Sequence, residues 1–347
     1  MLSLVAILPA RAILIDNTWN LAASNALARD FANFPSFAAT GEVGITEGVG
    51  AATTSFTGTG VLIANDWVLT AAHNWTDNAV TALTFTVGGT LYTGNLAQRF
   101  QHPLWNMAPA PPNATVGISQ GWDIALFRLT APVAGITPAQ IYTGSNELNS
   151  QVYTLGFGRT GNGSTPTGTV TGTLHAISNT IDRATSQTSG GFSGGQLFYD
   201  FDNGATLGNT LATAGLPDNG AFNTTLATAG TIFGTTSATT QVSNGAIIEG
   251  GTAQGDSGGP TFILDGGAYK VAGITSWGIN PATDYGTTGL YGDVTAVTRV
   301  SENSAWINSV LVPEPATGIM MMLAGMILGI VLRRRPSGRW PQFAPVE

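Results

Sequence analysis

Ser257 lies in the run Gly255-Asp256-Ser257-Gly258-Gly259-Pro260, a loop where the backbone can turn sharply and nothing shields a hydroxyl. Glycine takes backbone angles closed to other residues. Gly255 can therefore turn its N–H and that of Ser257 toward one spot, the arrangement that stabilises an oxyanion. A serine hydroxyl is a weak nucleophile at neutral pH and needs a general base, which in turn needs a group to orient it. The chain has three histidines, His73, His102 and His175. His73 closes Asp66-Trp67-Val68-Leu69-Thr70-Ala71-Ala72-His73, behind the apolar run Val61-Leu62-Ile63, and two alanines give its backbone a close-packed seat. His102 precedes a proline, which favours an extended or turn conformation, and His175 lies in an alternating stretch, 173–177, with a polar outer face. Both read as structural or solvent-facing. The orienting group is Asp123, at the mouth of the apolar strand Ile124-Ala125-Leu126-Phe127. A carboxylate there is expensive to bury without a partner, and an imidazole N–H supplies one.

The order His73, Asp123, Ser257, with the segments around each, resembles the trypsin/chymotrypsin-like serine peptidases. Leu155-Gly156-Phe157-Gly158, Thr275-Ser276-Trp277-Gly278 and Val297-Thr298-Arg299-Val300 with Trp306-Ile307 resemble further segments of that family. The resemblance covers residues 41–312. It implies an all-β fold: two six-stranded antiparallel β-barrels with the active site between them, then a C-terminal helix. It also implies that Ser276, Trp277 and Gly278 bind substrate and that Gly251, six residues before the serine, forms the base of the specificity pocket. With glycine rather than an acid there, an uncharged side chain is expected before the scissile bond.

The composition agrees with such a fold. Short β-rich runs alternate with Gly, Asn, Asp and Pro turns, and long helical periodicities are nearly absent. Glycine alone contributes 46 residues. There is no cysteine, so the fold relies on packing where relatives are usually stapled by disulfides. The formal charge is −8, and four of the twelve cationic residues fall in the tail, at Arg333, Arg334, Arg335 and Arg339. No basic stripe exists for a nucleic-acid partner. No cofactor or metal is expected: Asp200-Phe201-Asp202-Asn203-Gly204 offers oxygen ligands, but no Glu completes a calcium loop at the required spacing.

Both ends read as targeting signals. Residues 1–12 combine an apolar run, Leu2 to Leu8, with the small-x-small pattern Ala10-Arg11-Ala12 of a signal peptide whose cationic start is missing. Residues 13–40 form an N-terminal extension. In 313–347, Pro313-Glu314-Pro315 leads into the apolar segment 316–332 and then Arg333-Arg334-Arg335. This resembles the PEP-CTERM sorting signal of Gram-negative bacteria, which implies export, contact with the membrane through 316–332 and processing by an exosortase-type enzyme. The seventeen residues of 316–332 just span a bilayer core, with the arginines on the cytoplasmic side. An insertion is expected around 185–247, rich in Gly, Thr, Ala and Asn and containing the sequence Thr-Leu-Ala-Thr-Ala-Gly twice, at 210–215 and 225–230.

Two functions of different class fit these features: an exported, surface-associated serine endopeptidase acting on protein or peptide substrates, or a catalytically silent surface binding protein on the same fold. The presence of all three chemical residues and of Gly255 favours the first. Asp256, beside the nucleophile, needs a partner if buried. In the resembled family this is often a newly cut N-terminal amine. The nearest candidate here is Ile13, released by a cut after Ala12, but the length of chain between Ile13 and His73 favours a partner from the loop itself.

Overall fold

The structure, a computed structural model, describes residues 13–15, 21–49, 52–75, 80–105, 121–163, 168, 172–185, 195–201, 250–279 and 290–311. The signal-like start, most of the 185–247 segment with its repeated hexapeptide, and the sorting tail lie outside the described residues. The chain divides into two compact units, Met1–Trp306 and Ile307–Glu347.

The first unit opens with β1 (Ile13–Ile15) and α1 (Leu21–Ala28). Six strands follow: β2 (Thr40–Val49), β3 (Ala52–Ala64), β4 (Trp67–Thr70), β5 (Val80–Val87), β6 (Thr90–Gln101) and β7 (Ala125–Leu129). They close a barrel in the order β2-β3-β4-β7-β6-β5, with every pair antiparallel. The alternation of β5 shows why: Val80, Leu83, Phe85 and Val87 are buried, while Thr81 and Ala82 face out. Successive side chains of a strand point to opposite faces, so one row fills the barrel with Val43, Ile45, Leu62, Val68, Phe85 and Phe127. Each such side chain contributes about 1.5–3 kcal/mol by leaving water.

The later strands are β8 (Gln151–Gly156), β9 (Thr160–Gly161), β10 (His175–Thr180), β11 (Arg183–Ala184), β12 (Gln196–Asp200), β13 (Gly250–Gly251), β14 (Pro260–Asp265), β15 (Ala268–Ile279) and β16 (Val294–Arg299). Helix α2 (Val300–Leu311) follows directly. Seven of these strands form a curled antiparallel sheet ordered β10-β8-β14-β15-β16-β12-β11. The all-β architecture with one closed six-stranded barrel and a terminal helix is as expected. The second half differs in detail: among the described residues it is this seven-stranded sheet, with a separate three-stranded sheet β13-β1-β9. Its core joins Ile13 and Ile15 to Val152, Ile177, Leu197 and Val297.

Residues 196–200 fall within the stretch read as an insertion, yet β12 is buried throughout and pairs with β16 from Gln196↔Thr298 to Asp200↔Val294. Its apolar content belongs to the core. No helix among the described residues is long and apolar enough to cross a membrane, and 316–332 lies outside them.

Candidate active site

The barrel's register brings the base and its orienting acid together. Thr70 at the end of β4 pairs with Ala125 at the start of β7. Running forward from Thr70 to His73, and back from Ala125 to Asp123, reaches the same end of the barrel. After β4 the chain continues extended through Ala71 and turns through a short 3-10 segment, Ala72–Asn74. Ala71 and Ala72 are fully buried, so the turn packs tightly and holds the imidazole in the cleft. Asp123 is fully buried. Its Oδ1 accepts the backbone N–H of His73 at 2.8 Å, and its Oδ2 accepts His73 Nδ1–H at 2.6 Å. With Nδ1 donating, Nε2 is left to accept, and Ser257 Oγ lies 2.7 Å from it. Burial pushes the His73 imidazole down, but the Asp123 charge and hydrogen bond outweigh it and leave its pKa above the ordinary 6.5.

The nucleophile loop lies between β13 and β14. Gly255 has φ +100° and Gly258 φ +85°, left-handed conformations that favour glycine. A side chain at Gly258 would also collide with Thr70 Oγ1 and the Thr59 carbonyl. The carbonyl of Ser257 is gripped from the barrel, by Thr59 N–H at 2.8 Å and Asn74 Nδ2 at 3.0 Å. Thr59 Oγ1 donates to the Gly255 carbonyl at 3.1 Å and accepts Phe157 N–H at 3.1 Å. Among the described residues, the N–H groups of Gly255 and Ser257 have no protein acceptor. Two donors are thus left open beside the serine hydroxyl.

Two family models match most of this part of the chain. A family model for a trypsin-like peptidase domain matches residues 58–208, and one for trypsin matches 203–307. End to end, they span the barrel from β3 onward and the second sheet. The chain belongs to the trypsin-like peptidases. A model of the PEP-CTERM protein-sorting motif matches residues 311–335. The chain is 26% identical over 267 residues to chymotrypsin-like elastase family member 1 of Rattus norvegicus, covering 73% of this chain and 77% of that protein. It is 28% identical over 274 residues to the Felis catus protein of the same name, with the same coverage of 73% and 77%. Similar solved structures include neuropsin, a serine protease expressed in the limbic system of mouse brain. It is 19% identical, with a TM-score of 0.46, covering 78% of this chain and 94% of that one. HL collagenase is 16% identical, with a TM-score of 0.47 and coverage of 77% and 91%.

In this trypsin-like peptidase the expected substrate-binding residues divide. Trp277 and Gly278 are partly exposed, with Trp277 edge-on to Phe198 at 6.0 Å. Ser276 is instead buried, and its hydroxyl donates to Asp123 Oδ2 at 2.5 Å. The cause is a bulge: the register with β16 shifts between Thr275 and Trp277, and a bulge re-aims the side chain it carries. Gly251 is a buried residue of β13, opposite Leu14. Beside it, Thr252 N–H and Oγ1 both lie 3.1 Å from Thr295 Oγ1. Hydroxyls therefore occupy the position next to the glycine. The other histidines stay outside the hydrogen-bonded chain. His102 lies nearly parallel to Trp122, with ring centroids 6.3 Å apart, and burial lowers its pKa to about 4. His175 is buried in β10 rather than facing solvent.

Asp256 has the partner expected from the loop and one more. Ala253 N–H and Gly158 N–H each donate to its carboxylate at 2.8 Å. No ion pair reaches it among the described residues. Burial raises its pKa from 3.8 to about 7 against the pull of the two N–H groups. Below pH ~4 the carboxyl is protonated whether folded or unfolded. Between 4 and 7 the unfolded chain ionises while the folded one keeps its proton, so stability falls as pH rises. The loss is about 1.4 kcal/mol per unit and about 4 kcal/mol in all, complete above the folded pKa. Unfolding free energies of wild type and Asp256→Asn, subtracted across this range, should show that slope. A flat difference would mean that Asp256 is ionised in the folded protein across this range.

Proposed function

We propose that the chain is an exported serine endopeptidase with Ser257 as nucleophile, His73 as general base and acid, and Asp123 as the group that fixes the imidazole tautomer. The observation that carries this reading is the unbroken line Asp123 Oδ2, His73 Nδ1, His73 Nε2, Ser257 Oγ, with gaps of 2.6 and 2.7 Å. As Ser257 Oγ bonds to the peptide carbonyl carbon, its proton passes to His73 Nε2. The carbonyl electron pair moves onto oxygen, where the open N–H groups of Gly255 and Ser257 stabilise it. Collapse expels the amine, which takes the proton from His73 and leaves an acyl-enzyme. Water repeats the sequence and releases the acid. The step needs neutral His73, so turnover rises with pH through that residue's raised pKa.

Peptide-library cleavage by the purified protein tests the reading together with its specificity. Gly251, Thr252 and Thr295 put no carboxylate at the base of the pocket, so cleavage is expected after uncharged residues. Preferential cleavage after Arg or Lys would contradict this assignment of the pocket, and no cleavage of any peptide would contradict the activity. The sorting motif supports removal of the tail by an exosortase-type enzyme during export. The mature protein is then expected to end near 313–315 in mass spectra. Recovery of its peptides through Leu332 would contradict removal.

A further inference from the structure

A cleft of about 440 Å³ opens beside Gly255, with none of Ser276, Trp277 and Gly278 in its lining. Its floor is the outer face of the barrel, where β2, β3 and β5 present small residues. Gly44 is one of them, and any side chain there would run into Thr84 Oγ1. Phe56, 37% exposed, forms one wall, and Gln254 with Arg159 forms the other. Arg159 is tied to the nucleophile loop through its backbone, whose N–H donates to the Gln254 carbonyl at 2.8 Å. Its side chain is different. Among the described residues the guanidinium makes no ion pair, and its Nε–H is buried without an acceptor. A cation that lines a cleft without a counter-charge calls for an explanation, the more so on a chain with twelve cationic residues and a net charge of −8. The nearby acids do not supply one. Glu42 lies on β2 two residues from Gly44 but does not line the cleft, and Glu47 lies further along the same strand, past a register shift.

We propose that Arg159 is a specificity-determining residue that binds a carboxylate on the leaving-group side of the substrate, an Asp or Glu within the first three residues after the scissile bond. This rests on the peptidase reading. If the acyl portion of the substrate lies along Ser276–Gly278, the leaving portion passes Gly255 in the opposite direction and enters this cleft. An extended chain advances about 3.3 Å per residue, so its second or third residue reaches the wall beyond the loop. There a carboxylate can take one N–H from each terminal nitrogen of the guanidinium as a parallel pair, a strong geometry for Arg and an acid. Phe56 and the small floor residues leave room for the chain itself.

The test uses two otherwise identical peptides, with Ala before the scissile bond and either Asp or Asn two residues after it. Binding is measured first, on Ser257→Ala protein, so that the result does not depend on turnover. The Asp peptide is expected to bind about tenfold more tightly than the Asn peptide at low salt, as for a hydrogen bond to a charged group. The ratio should shrink with added salt. Adding Arg159→Gln should bring it close to one, and Arg159→Lys, which keeps the charge but loses the fork, should leave it in between. Equal affinity for the two peptides in the arginine protein, or a preference that survives Arg159→Gln, overturns the proposal. Hydrolysis of the Asn peptide by the wild-type protein reports separately on the peptidase reading. Its absence would count against that reading while the binding ratio still decides the role of Arg159.

Discussion

Replacing Ser257 with alanine should lower kcat on the order of a millionfold, the scale seen when the nucleophile of such a triad is removed, while the fold survives. Among the described residues the hydroxyl has one partner, His73 Nε2. The bonds that hold residues 257–259 use their backbone: Ser257 O to Thr59 N–H and Asn74, Gly258 N–H to Thr275 O, and Thr275 N–H to Gly259 O. Alanine keeps all of these. The freed Nε2 belongs to a side chain that is 25% exposed, so water can replace the lost bond. Stability should stay within about 1 kcal/mol of wild type. Residual hydrolysis from the open N–H groups is expected, but turnover within a hundredfold of wild type would exclude Ser257 as the nucleophile.

Asp123→Asn should be the next most damaging change, about 10⁴-fold in kcat with the backbone intact. Three donors converge on the carboxylate: His73 N–H on Oδ1, and His73 Nδ1–H with Ser276 O–H on Oδ2. An amide offers one oxygen and one NH₂ group. If the oxygen stays on the backbone N–H, the NH₂ meets Nδ1 and forces the imidazole proton onto Nε2. Nε2 then cannot accept from Ser257. The loss should fall on kcat rather than KM, because Asp123 is fully buried and touches no substrate. A variant keeping a tenth of wild-type kcat would show that tautomer control by Asp123 is not needed.

The parts of the site that carry chemistry were legible because chemistry demands particular residue types with local signatures. Ser257 stands among glycines, His73 behind an apolar strand and two alanines, and Asp123 before another strand. The scaffold that aims them was not. Thr59 and Asn74 hold the Ser257 carbonyl from positions 198 and 183 residues away, by Thr59 N–H and the Asn74 side chain; nothing local distinguishes either from a surface residue. Asn74 offered the better clue, as a polar residue between His73 and the buried Trp75. Ser276 was placed with the substrate by its neighbours, but a bulge turns it onto Asp123, and bulges leave little trace in a sequence. β12 was hidden in a low-complexity stretch because its pairing partner, β16, lies about a hundred residues further on. The short β1 was equally hidden, since its order comes from pairing on both sides with β9 and β13.

The central claim is that His73 and Asp123 activate Ser257. Labelling with a serine-reactive fluorophosphonate, followed by peptide mapping, tests it most directly, because the probe reports nucleophilicity without any knowledge of the substrate. The wild-type protein should be modified at Ser257 alone, at a rate that rises with pH through the raised pKa of His73 and collapses in His73→Ala. Folded protein that stays unlabelled at Ser257, or labels there equally fast without His73, would contradict the account.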